Sequence, residues 1–179
     1  MMELVSRLAR EPWTDRPECV HPVLSAVARA VHDHSTSEGR HALLPLAPRF
    51  IDTSCVGFES SARLVALCAS TALAGSELTG DERRRLAAAH QTALHLLGTQ
   101  QSPGGAARWW LKLPVTWSEP FYRTFVATEQ AAEAVAVTAR TANGDRDVRL
   151  RSLLKLCLRS QGAVRPSPSC STPAQKSWS

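Results

Sequence analysis

The chain has no C-x-x-C pair, no apolar run of 18 residues and no G-x-S-x-G elbow. The first absence removes the common zinc-ribbon and dithiol redox motifs. The five cysteines, Cys19, Cys55, Cys68, Cys157 and Cys170, are odd in number and widely spread, a pattern of reduced thiols rather than of a disulfide framework. The second absence removes a membrane-spanning helix, and the opening "MMELVSRLAREPW" lacks the apolar centre of a signal peptide. The expected compartment is therefore the cytoplasm, with no membrane contact. The third removes the hydrolase elbow, and "SPGG" at 102–105 lacks the lysine that completes a phosphate-binding loop. Carboxylates are few and scattered, so paired acid–base chemistry has no support. No cofactor or metal is expected.

Lysine is scarce too, at 3 against 18 arginines, and β-branched and aromatic residues are sparse. Alanine and leucine supply the apolar content, which favours helices. At 179 residues the chain holds one domain with a real core. The reading is all-α: a single irregular helical domain over 1–162, of about six helices, followed by a Pro/Ser-biased disordered tail at 163–179. An α+β fold with a small sheet is the alternative.

Pro22 is placed to open a helix in which Val23, Leu24, Val27 and Val31 recur at helical spacing. Residues 38–52 read as two short helices, the second opened by Pro45. "ARLVALCASTAL" (62–73) is apolar nearly all round and predicts a central buried helix. Thr79 and Glu82 have capping-box spacing, and Gly98 suits the end of the helix they start. Leu86, His90, Ala93, Leu94 and Leu97 form its expected buried stripe, with His95 on the exposed face.

"AVHDHSTSEGRH" (30–41) concentrates histidines, acids and hydroxyls. Two histidines at i and i+2 of a helix point about 200° apart, so His32 and His34 cannot share an ion. The expectation is a helix end, with His34 continuing the apolar stripe and Ser35–Glu38 capping the next helix. A metal, if held, would take Cys19, His21 and His41. Cys55, in the loop "TSCVGF", is the candidate reactive thiol.

Two features are candidates for binding. The plainer readings are that the aromatics plug the core and that the basic helix is packed by its leucines, with its arginines in water. Six of the ten aromatics fall within 109–125, where Trp109, Leu111, Leu113, Val115 and Trp117 alternate as in an extended segment, with Trp110 on the opposite face. The other is the basic amphipathic helix at 145–160, where Arg146, Arg149, Arg151, Lys155 and Arg159 surround the stripe Leu150, Leu153, Leu154 and Cys157. Residues 98–179 hold a net charge of +6 against −1 for 1–97. The leading reading is a non-enzymatic interaction or regulatory module that binds another protein or itself through Trp109, Trp110, Trp117 and those five basic residues. A nucleic-acid-associated protein using the basic helix is the runner-up. A small-molecule or metal-dependent enzyme around 19–41 or Cys55 is the third.

Overall fold

The computed structural model describes residues 1–14, 17–51, 53–54, 58–101, 122–142 and 144–162. These form seven α-helices and no strand, so the domain is all-α as its composition implied. The helices are α1 (Met2–Leu8), α2 (Pro22–His34), α3 (Ser37–Leu43), α4 (Phe58–Leu73), α5 (Gly80–Gln101), α6 (Ala127–Arg140) and α7 (Arg146–Gly162). A 3-10 segment, Leu44–Phe50, follows α3, and a π-helical turn, Tyr122–Val126, precedes α6. The aromatic segment 109–117, Cys55 and the tail 163–179 lie outside the described residues. Among those residues no helix is long and apolar enough to cross a membrane.

The helix apolar on every side becomes the centre. α4 packs against α2, α5, α6 and α7, and Ala62, Leu64, Val65, Cys68, Ala69 and Ala72 are all buried. The basic helix α7 turns Leu150, Leu153, Leu154, Cys157 and Leu158 inward. Each such leucine contributes about 1.5–3 kcal/mol by leaving water. Cys68 and Cys157 meet there, both fully buried, with sulfurs 3.9 Å apart. The hydrogen bond with Cys157, together with burial, holds the Cys68 thiol well above its ordinary value. It stays protonated and behaves as a small hydrophobe.

Local signals set the starts of α2 and α5. Pro22 occupies the first turn of α2. At α5 the Glu82 amide donates to Thr79 Oγ1 at 3.2 Å while the Thr79 amide donates to Glu82 Oε2 at 2.9 Å, a complete capping box. Arg140, ending α6, adds a 2.6 Å ion pair to the same carboxylate. The α5 helix does not stop at Gly98 but runs on to Gln101. Its buried face is also rotated from the expected one: Leu86, Ala89 and Ala93 are buried, His90 is half-buried, and Leu94 is exposed. Residues 37–50 form two short pieces as expected, but the second is a 3-10 helix that begins one residue before Pro45.

The cap of α3 is Thr36, not Ser35. Thr36 Oγ1 accepts from the Gly39 amide at 3.1 Å, whereas Ser35 Oγ donates back to the Val31 carbonyl at 2.7 Å. The choice is made from far along the chain. Asp147, in the first turn of α7, accepts from the Thr36 amide at 3.0 Å and from the Thr36 hydroxyl. Gly39 makes room for it, since a Cβ there would stand 2.4 Å from Asp147 Cγ. Gly39→Ala should therefore displace the Asp147 carboxylate and cost about 1 kcal/mol, the lost charge-assisted bonds outweighing alanine's better helix propensity. In an Asp147→Ala background the same change should become neutral or stabilising. A double-mutant cycle by urea denaturation reads this, and additive single effects would refute the lock. The hydrogen bonds from Thr36 hold the Asp147 carboxyl below its usual range. A depressed carboxylate adds stability above its unfolded-state value of about 4, and that stability is lost as pH falls through the folded value. Asp147→Asn should flatten this acid limb.

Candidate interaction groove

A concavity runs along the seam of α2 and α6, an open groove of ≈ 1130 Å³. Small residues make its floor: Ala26 and Ala30 from α2, Ala132 and Ala136 from α6. On each helix these positions recur three or four residues apart, so they share one face. Alanine here lets the two helices lie close together and leaves the outer seam unfilled.

The rim is charged and mostly of one sign. Glu18, Asp33, Glu129 and Glu133 line it, against Arg29 and His34. Glu133 is held by Arg85 of α5 at 2.8 Å, and Asp33 lies 3.4 Å from His32 Nδ1. At the α6 end stands Phe125, 60% exposed. The π-helical turn carries it, and Thr128 Oγ1 donates to the carbonyls of Thr124 and Phe125 at 2.7 and 2.8 Å. Those bonds stabilise a turn where the helical ladder changes register, a feature found often at functional sites. Tyr122 in the same turn is partly buried, which pushes its phenol up to about 12.

The histidine-rich stretch does not assemble into a site. His34 is exposed on the groove wall rather than on the apolar stripe, because Ser35 takes the buried position four residues after Val31. His21, a member of the Cys19–His21–His41 set, is fully buried and caps α2. Its Nδ1 accepts from the Val23 amide at 3.2 Å, so Nε2 carries the proton and faces Ser61 Oγ at 3.2 Å. Both ring nitrogens are thus engaged in structure. His41 Nδ1 bonds the Ser37 carbonyl at 2.8 Å on the surface. Among the described residues no three His, Cys, Asp or Glu side chains could hold a metal ion together.

The basic residues are brought onto one helix. Arg146 and Arg159 are exposed on α7, and Arg149, Arg151 and Lys155 are half-buried. Val148 at 57% and Leu156 at 45% exposure share one outward face with Lys155 and Arg159. No ion pair of these five basic residues is found among the described residues. Trp109, Trp110 and Trp117 lie outside the described residues.

The groove is not visible in the sequence as a single motif. Its signal was present as the run Phe125, Thr128, Glu129, Ala132, Glu133, Ala136, a polar and small-residue face opposite the buried face of α6. That face has meaning only once α2 supplies the other wall. Comparison of the chain with protein-family models, with curated proteins and with solved structures gives no match.

Proposed function

We propose that this protein is a non-enzymatic interaction module that binds a basic segment of a protein partner in the α2–α6 groove. The observation that carries the reading is the groove's composition: an alanine floor, an exposed Phe125 and a rim with four carboxylates. An exposed aromatic beside a shallow apolar floor supplies contact area at low entropic cost, and the surrounding charge selects the partner's sign. His21, in the 19–41 region, is engaged in the α2 cap and with Ser61.

The test is a fluorescence-anisotropy titration with two amphipathic helical probe peptides of equal apolar content, one net positive and one net negative. The positive peptide should bind, and Glu129→Arg together with Phe125→Ala should weaken it by about tenfold or more, worth about 1.4 kcal/mol. Equal binding of the two peptides, or none by either, removes the reading.

A further inference from the structure

Resting on that reading of the groove, we infer that the basic segment it accepts is α7 of a second copy of this chain, so that the protein self-associates head to tail.

The argument is complementarity between two surfaces of the same molecule. The inner face of α7 is committed to α2, α4 and α6, which leaves Val148, Ser152, Lys155, Leu156 and Arg159 facing outward. Val148 and Leu156 stand two turns apart, about 12 Å along the axis, and match the apolar floor and Phe125. Lys155 and Arg159 are one turn apart, as are Glu129 and Glu133, so two helices laid side by side can pair them in register. Arg85 competes for Glu133. The attraction therefore rests chiefly on Asp33 and Glu129 together with Glu18, at the mouth of the groove.

The two surfaces differ, so the contact is heterologous. A copy that offers α7 keeps its own groove open for the next, and assembly proceeds to a ring or a short chain rather than stopping at a symmetric dimer. Rim charges act through solvent and are screened, which makes the association salt-sensitive.

Sedimentation velocity of the full chain tests this at low and high salt. The expected result is a sedimentation coefficient that rises with concentration at about 50 mM salt and returns to the monomer value at about 500 mM, where the screening length has fallen roughly threefold. Two variants make the test specific. Asp33→Lys with Glu129→Lys reverses the groove, and Lys155→Glu with Arg159→Glu reverses the helix; all four positions lie outside the buried core, and circular dichroism checks the fold of each variant. Each variant alone should associate at least about tenfold more weakly. An equimolar mixture should recover the complex, because each then meets a complementary surface.

A wild-type chain that stays monomeric at low salt overturns the inference. So does a mixture that fails to recover. If the wild type is monomeric yet the groove still binds the positive probe peptide, self-docking falls and the groove reading stands. If neither occurs, both fall. If a labelled DNA or RNA oligonucleotide binds the monomeric wild type and not the helix-reversed variant, α7 serves nucleic acid and self-docking is overturned.

Discussion

Replacing His21 by alanine should lower the melting temperature by about 10–15 °C, equivalent to about 4 kcal/mol for a domain of this size. Three losses combine. The Val23 amide in the first turn of α2 loses its side-chain acceptor, a cap worth about 1 kcal/mol. Ser61 Oγ, fully buried on α4, loses its contact with Nε2, and an orphaned buried hydroxyl costs about 1–3 kcal/mol. The rest is the void left by a ring that has no exposed surface. His21→Asn should recover about 1 kcal/mol, since asparagine caps well but does not reach Ser61. A thermal melt of the three proteins decides the matter. A His21→Ala variant that melts within about 2 °C of wild type would show that the imidazole is not structural, and would reopen the question of its chemistry.

Phe50→Ala should cost about 3–5 kcal/mol, and its effect should not add to that of His21→Ala. Phe50 is the largest fully buried side chain among the described residues, and it ends the 3-10 segment. That segment contains Pro45 and Pro48, whose rings fix φ, so its backbone has little freedom to rearrange into an emptied space. Its carbonyl accepts from Thr53 Oγ1 at 2.7 Å, and Thr53 Oγ1 in turn accepts from the His21 amide at 3.1 Å. A collapse around position 50 therefore reaches the cap of α2. Helix α1 leans on the same segment, so amide exchange in α1 should rise as well. Urea denaturation of both single variants and the double supplies the coupling energy. Strictly additive losses would mean that the Phe50–Thr53–His21 chain transmits nothing.

How much of this was legible depends on how far apart the deciding atoms lie. The Thr79–Glu82 box spans three residues, and spacing alone predicts it. Pro22 at the head of α2 is equally local. The choice between Ser35 and Thr36 as the cap of α3 looks local but is not. Both are good caps, and Asp147, 111 residues from Thr36, selects between them. His34 illustrates the same limit. A stripe running Val27, Val31 can continue at 34 or 35, and only the neighbours that cover α2 decide that Ser35 goes inside. Gly98 fails as a stop because a glycine weakens a helix by only about 1 kcal/mol, and nothing lies within 4 Å of its would-be Cβ to compel a turn.

The candidate site divides along the same line. Lys155 and Arg159 of α7 share an outward face with Val148 because the leucine period of 146–159 orients the helix, and that period is written in the chain. The groove depends on a wall from α2 and a wall from α6, about a hundred residues apart.

What the sequence by itself determined is the all-helical class, the starts of α2 and α5 and the buried faces of α4 and α7. Each follows from interactions within a turn or two, where spacing and residue type suffice. Tertiary structure alone decided that His21 caps α2, that Cys68 meets Cys157, and that four carboxylates line one groove with Phe125. Those outcomes depend on which helix faces pack against each other. That choice minimises exposed apolar area over the whole domain, and no short window of sequence contains it.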